Sequence, residues 1–215
     1  EELEENSRGV RGWDARRPQV FVIGGGAAAR RYAGTGDILM LDWYPVPHLP
    51  LDSVADQLDL AVRGSRPGKP LWMVLQAFDW MNYPQKDPTK PRVGRFPDHR
   101  EIRFMSYLAV LHGAGGLFYF TLKTPGDRTL LERPEQLQAL ARVAAEMGSM
   151  RGVFSSGGKT PLPFPAAPPG LEGGAWRHRG REYVVLLNRR RDASVPVPRE
   201  LVGRSWRPLF EPRRR

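Results

Sequence analysis

The stretch KPLWMVLQAFDW, residues 69–80, joins an apolar strand to an abruptly polar and aromatic end. Apolar side chains alternate onto both faces of this stretch, a pattern typical of a parallel strand that is covered on both sides. Polar side chains begin only at Gln76, and Asp79 and Trp80 follow. Because parallel sheets and barrels bind ligands at the carboxyl ends of their strands, the sequence predicts a binding cleft here. Alternatively, Gln76 and Asp79 only cap a strand and begin a turn.

The composition is that of an ordinary globular protein: 215 residues, of which 40% are hydrophobic and 10% aromatic. This length allows one sizeable core with a small appendage. No apolar run approaches the roughly 20 residues of a membrane span, so no membrane partner is expected. The sequence has no cysteine, and its four histidines are scattered without metal-ligand spacing. Neither a metal nor another cofactor is therefore expected.

The net charge of +10 is concentrated in the tail, because residues 173–215 hold 12 arginines and only 4 acidic residues. These arginines are spread along strand-like segments or bunched at residues 189–191 and 213–215. They lack interleaved stacking aromatics and the pattern of a recognition helix. We therefore expect no specific nucleic-acid partner, and a basic nucleic-acid-binding protein is the weaker alternative.

Strand and helix alternate four times before the composition changes. The Gly-rich turn at residues 24–26 lacks a phosphate-binding motif and is predicted to be a flexible loop. Asp98 and Glu101 form a D-x-x-E capping box that predicts the start of a helix. We predict one domain over residues 1–154 and a small antiparallel β appendage over residues 155–215. The predicted strands are residues 19–23, 37–44, 71–77 and 117–122, then 175–177, 182–188, 194–198 and 205–210; the main predicted helices are residues 1–12, 51–62, 98–112 and 134–147.

Three stretches carry a family resemblance: DWYPVP at residues 42–47, GKPLWMVLQAF at 68–78, and EIRFMSYLAVLHGAGGLFYFT at 101–121. Together they resemble the second half of a glycoside hydrolase (β/α)8 barrel of the agarase and β-galactosidase sort. WRHRGREYVVLLNR, residues 176–189, resembles the β-sandwich that often follows such barrels. The resemblance implies an α/β fold in which four β-α units correspond to strands five to eight, followed by a small all-β domain.

The resemblance also implies where the catalytic carboxyl groups belong. Retaining glycosidases hold an acid/base and a nucleophile about 5–5.5 Å apart. The acid/base would lie at the end of strand four, upstream of Glu1, and the nucleophile near Gln76, where an amide replaces the expected carboxylate. Asp42 and Asp79 are the candidate catalytic residues if their side chains converge; otherwise they cap turns and orient other groups. This chain alone is expected to lack a complete catalytic pair.

Aromatic residues near the strand ends favour a sugar ligand, because an apolar ring face suits the C–H face of a sugar. We expect a carbohydrate-active protein that binds or hydrolyses a poly- or oligosaccharide, with a non-catalytic relative or a truncated inactive chain as the alternative. A soluble chain is expected, and a secreted or periplasmic parent stays open. Half a barrel would leave its end strands unpaired, so self-association is expected. The candidate substrate-binding residues are Trp43, Tyr44, Gln76, Trp80 and Tyr119.

Overall fold

The computed structural model describes residues 2–83, 89–91, 93–123, 129–160, 162, 169–190 and 206–210. The chain divides into two compact units, Glu1–Val143 and Ala144–Arg215. This division falls inside the long helix α5 (Pro134–Phe154), whereas the sequence predicted a boundary at the end of that helix.

A four-stranded parallel sheet forms the centre of the first unit. Its neighbours follow the order of the chain, β1-β2-β3-β4, and every pair is parallel. The predicted α/β class with four β-α units is thus confirmed. The strands are β1 (Val20–Ile23), β2 (Ile38–Trp43), β3 (Leu71–Gln76) and β4 (Gly116–Phe120).

Four helices accompany these strands, and one of them was not predicted. The predicted capping box is present at the start of the helix His99–Leu111, where Glu101 N donates to Asp98 Oδ1 and Asp98 N donates to Glu101 Oε2. No helix in the described part of the chain is long and apolar enough to cross a bilayer. The α-helices described that lie wholly within this unit are α1 (Glu2–Trp13), the unpredicted α2 (Ala29–Tyr32), α3 (Ser53–Gly64) and α4 (His99–Leu111).

The two faces of the sheet have different surroundings. On one face, the Trp43 indole N–H donates to Ser53 Oγ of α3 at 2.9 Å, and the Tyr119 hydroxyl lies 2.9 Å from Ser106 Oγ of α4. Trp43 and Tyr119 are both paired in register with Leu75, so their side chains lie on the same face of the sheet. This is the face that the helices cover. Right-handed crossovers between sequential parallel neighbours place successive helices on one face, as found here.

The opposite face, which we call the open face, is apolar and partly exposed. Val22 is 50% exposed and Phe118 is 46% exposed. Between them, Met40 and Val74 are buried, because they lie in the central strands β2 and β3. The open face therefore presents apolar surface mainly along its two edge strands, β1 and β4.

The glycines after β1 form a bend at Gly24 and Gly25 and then a closely packed helical turn from Gly26, where the predicted loop was wrong. Gly26 begins a 3-10 helix, Gly26–Ala28, that leads into α2. A β-carbon on Gly26 would lie 1.9 Å from the Gln57 carbonyl oxygen, so only glycine allows this approach to α3. The Gly26 N–H also donates to Gln57 Oε1 at 2.7 Å.

The described residues after α5 form a two-stranded antiparallel sheet, β5 (Leu171–His178) with β6 (Arg181–Asn188). Trp176 of β5 is buried, and its ring centroid lies 5.1 Å from that of Phe154 in α5. The predicted strand at residues 194–198 lies outside the described residues. The one predicted at 205–210 was wrong, since residues 206–210 form no strand and Pro208 lacks the backbone donor of a ladder residue.

Candidate functional site

The carboxyl ends of β2 and β3 lie side by side, and a buried amide joins them. Gln76 is 0% exposed, and its Oε1 accepts a hydrogen bond from Val46 N at 2.8 Å. Its Nε2 donates to the carbonyl oxygens of Val46 at 2.8 Å and Phe78 at 3.1 Å. These three bonds satisfy Gln76 internally and fix the loop after β2 to the end of β3. The predicted contact of Gln76 with a ligand is thus replaced by contacts with the backbone.

Asp79 takes a structural position just beyond β3. It is the N-cap of a 3-10 helix, Trp80–Asn82, and its Oδ1 accepts from Met81 N at 2.8 Å. Asp79 is 0% exposed, and a β-carbon on Gly94 would lie 2.4 Å from the same Oδ1. The loop containing Gly94 therefore covers this carboxylate. Capping, the alternative that the sequence left open, accounts for these contacts.

Asp42 has a different environment at the end of β2. Its Oδ1 is buried without a hydrogen-bond partner among the described residues. Burial raises the pKa of Asp42 above its ordinary value of 3.8, and a hydrogen bond with the Tyr44 hydroxyl partly opposes this shift. A β-carbon on Gly24 would lie 3.5 Å from Asp42 Oδ1, so the end of β1 borders this oxygen. Asp42 thus offers an acceptor for a donor that the described residues do not supply.

Tyr44 links Asp42 to a group of aromatic rings. Burial raises the pKa of the Tyr44 hydroxyl far above its usual range, and the negative charge of Asp42 acts in the same direction. The Tyr44 ring stacks on Phe120 with ring centroids 5.8 Å apart, and it meets Trp80 edge-on at 6.3 Å. The hydroxyl of Tyr44 is therefore a neutral hydrogen-bonding group at any physiological pH.

Trp80 lies between these aromatic rings and is only partly buried. Its ring contacts those of His48 at 6.2 Å and Phe78 at 4.9 Å between centroids. The Trp80 indole N–H is buried, yet no described residue accepts a hydrogen bond from it. Since buried donors are normally paired, this N–H is a second group that a ligand could satisfy. The ring contacts of Trp80 also involve Tyr44 and Tyr83.

Apart from Gln76 and Asp79, the structure separates the predicted catalytic and substrate-binding residues into two groups. Asp42, Tyr44 and Trp80 come together at the carboxyl end of the sheet, whereas Trp43 and Tyr119 lie on the helix face and bond to Ser53 and Ser106. Burial raises the pKa of the Tyr119 hydroxyl. Among the described residues its hydrogen-bond partner is Ser106 of α4, so Tyr119 serves the packing of that helix.

Further aromatic residues of the cluster were not among the predicted site residues: His48, Phe78, Tyr83 and Phe120. Phe120 is 40% exposed and stacks on Tyr44, and His48 contacts Trp80. The strand alternation contains a signal for Phe120, because it shares the face of Gln76, its partner in the parallel register. His48 lies in a loop without periodicity, so no local pattern points to it.

The arrangement at this edge suits hydrogen bonding and ring stacking better than metal binding. Within the described residues, no group of three or more His, Asp or Glu side chains is arranged to hold a metal ion. In the part of the chain that the structure describes, Asp42 Oδ1 and Trp80 Nε1 have no hydrogen-bond partner, and an aromatic cluster adjoins both.

Comparisons of the chain with protein-family models, with curated proteins and with solved structures found no match. The function is therefore inferred from the geometry of the site.

Proposed function

We propose that the carboxyl end of the parallel sheet binds a saccharide. One observation carries this proposal: Asp42 Oδ1, an acceptor, and Trp80 Nε1, a donor, have no partner among the described residues, and both side chains contact the same tyrosine, Tyr44. A sugar hydroxyl both donates and accepts, and neighbouring hydroxyls on one ring satisfy such groups together. Binding would remove the cost of two buried polar atoms that the described residues leave unpaired.

The aromatic cluster supplies the second requirement of a saccharide site. Sugar rings carry apolar C–H faces that pack on aromatic side chains, while their hydroxyls need polar partners. The partly exposed rings of Trp80 and Phe120 both contact the ring of Tyr44, whose hydroxyl is hydrogen-bonded to Asp42. This combination favours a neutral sugar over a purely apolar ligand, because a purely apolar ligand would leave both polar atoms unsatisfied.

The topology supports a relationship with a glycoside hydrolase barrel. Strands that follow the chain order, with their helices on one face, are the arrangement of a segment of a (β/α)8 barrel. A doubly wound sheet, in contrast, reverses its strand order and carries helices on both faces. The open face would then correspond to the interior of a barrel.

The two candidate carboxylates, Asp42 and Asp79, are not equally well placed for catalysis. Hydrolysis of a glycosidic bond needs two carboxyl groups, and only Asp42 presents an oxygen free of hydrogen bonds to described residues. Asp79 is covered and caps a turn. Saccharide binding, with Asp42 as one polar contact, is therefore the function that we assign to this chain, and hydrolysis would require a further carboxylate.

Nuclear magnetic resonance of the indole N–H groups tests the proposal. The Trp80 Nε1–H signal, assigned through Trp80→Phe, should shift when oligosaccharides such as β-galactosides are added, because the bound hydroxyl becomes its acceptor. The Trp43 Nε1–H is the internal control, since it already donates to Ser53 Oγ and should stay in place. A panel of neutral oligosaccharides that leaves the Trp80 signal unchanged at about 10 mM would contradict the proposal.

A further inference from the structure

A cavity of about 610 Å³ lies in the second unit, next to the last turns of α5 and the β5–β6 hairpin. Cavities of this volume accommodate small organic ligands. Met150 and Val153 of α5 are the buried apolar side chains of its wall, and Leu209 and Phe210 add exposed apolar surface. The polar wall consists of Ser149, His178, Arg179, Arg181 and Tyr183.

The charge on this wall is of one sign. Arg179 and Arg181 are exposed, and neither forms an ion pair with another residue that the structure describes. Among the described residues of the wall, none carries a carboxylate. Arg189 of the same hairpin differs, because it is paired with Glu172 at 3.2 Å. The two guanidinium groups at the cavity are therefore available to an external anion.

Arg179 occupies a backbone position that suits other residues better. The hairpin turn has two central residues, Arg179 with a φ of 50° and Gly180 with a φ of 74°. Two positive φ values define a turn in which Asn, Asp or Gly is strongly preferred at the first position. An arginine there costs stability, and such costs are common at binding sites. The positive charge that Arg179 places at the cavity offers a reason for an arginine at this position.

We propose that this cavity binds a small organic oxyanion, meaning a carboxylate or a phosphate or sulfate ester on an apolar or ring-shaped body. Arg179 and Arg181 hold the oxyanion, and the His178 imidazole, which lines the same cavity, contributes a ring N–H. The body of the ligand packs against Tyr183, Phe210 and the buried apolar residues of α5. This site lies in a different unit from the proposed saccharide site and takes a different class of ligand.

Calorimetric titration of the full chain with phenyl phosphate and with benzoate tests this proposal. Inorganic phosphate, which lacks the ring, and benzyl alcohol, which lacks the charge, are the matched probes.

Arg181→Gln should weaken binding of both organic anions about threefold to fivefold, as expected for an exposed ion pair. Arg179→Asn should weaken binding to a similar degree while raising the melting temperature, because asparagine tolerates the positive φ. Arg177→Gln is the control, since Arg177 lies in the same hairpin but is not part of the cavity wall.

The results separate the proposal from its alternatives. It is supported if both organic anions bind more tightly than both matched probes and only the Arg179 and Arg181 variants lose affinity. It is overturned if Arg177→Gln costs as much as Arg181→Gln, because the attraction is then diffuse. Equal binding of inorganic phosphate, equal binding of benzyl alcohol, or no binding of phenyl phosphate at about 20 mM would also overturn it. A single-stranded oligonucleotide that displaces phenyl phosphate at physiological salt would replace it with a nucleic-acid site.

Discussion

Gln76 and Val46 exchange two hydrogen bonds of 2.8 Å, in which the amide oxygen accepts from Val46 N and the amide nitrogen donates to Val46 O. The Gln76 amide thereby forms the pair of hydrogen bonds that a neighbouring strand would otherwise form with the backbone of the loop after β2. Tyr44, which belongs to the same loop region, is held beside Asp42 and Trp80. The geometry of the proposed saccharide site therefore depends on a residue that itself is wholly buried.

Gln76→Glu should destabilise the protein by about 3 kcal/mol or more, because a buried carboxylate cannot donate to the carbonyl oxygens of Val46 and Phe78. Thermal and urea unfolding of the variant measure this cost. Gln57→Glu is the matched control, since only the Gln57 oxygen is used, as an acceptor from Gly26 N. Gln57→Glu should lower the free energy of unfolding by well under half as much as Gln76→Glu does. Equal stability of the two variants would show that the Gln76 amide is not the clamp described here.

Asp42→Asn should stabilise the protein at neutral pH by about 1 kcal/mol, because it removes a buried charge without a full set of partners. The folded-state pKa of Asp42 lies above 3.8, so the folded chain keeps this proton to higher pH than the unfolded chain does. The cost of ionisation is therefore absent below about pH 3.8, grows as the pH rises through the folded-state value, and is complete above it. Urea unfolding of both proteins between pH 3 and 7 should show the difference growing with pH, and a difference independent of pH would contradict this account.

Local signals in the sequence were sufficient for most of the first unit. Alternating apolar residues predicted β2 and β3, and the D-x-x-E pair at Asp98 and Glu101 predicted α4 with its capping box. The same alternation also places Trp43 on the face opposite Asp42, so its orientation toward the helices was contained in the sequence.

Partners that come from distant parts of the chain could not be predicted. Nothing local to Gln76 indicates that its amide meets the backbone of Val46, and nothing local to Gly26 indicates that α3 approaches it. The Gly94 loop over Asp79 is a similar case. Each of these contacts joins segments whose relative placement depends on the packed sheet, and single-sequence patterns do not report it.

The open face should make the chain associate. Val22 and Phe118 lie on the two edge strands of the sheet and are about half exposed, and an apolar face with unpaired strand edges favours contact with another copy. Sedimentation velocity should therefore show species larger than a monomer, and Val22→Lys with Phe118→Lys should reduce them. Val62→Lys is the control, because Val62 is also 50% exposed but lies on α3. A monodisperse monomer, or an equal effect of the control, would argue against this role of the open face.

The most direct measurement of the saccharide proposal is a double-mutant cycle on the two atoms that lack partners. Trp80→Phe keeps a ring but removes the N–H, and Asp42→Asn keeps the shape but removes the charge. Each should weaken binding of the oligosaccharide found by indole titration about fivefold to tenfold, and the two effects should be coupled, because one ligand satisfies both groups. Trp43→Phe, which loses only the bond to Ser53, should leave the calorimetric affinity unchanged. The account predicts this pattern; affinities that are the same for the wild type, Trp80→Phe and Asp42→Asn would contradict it.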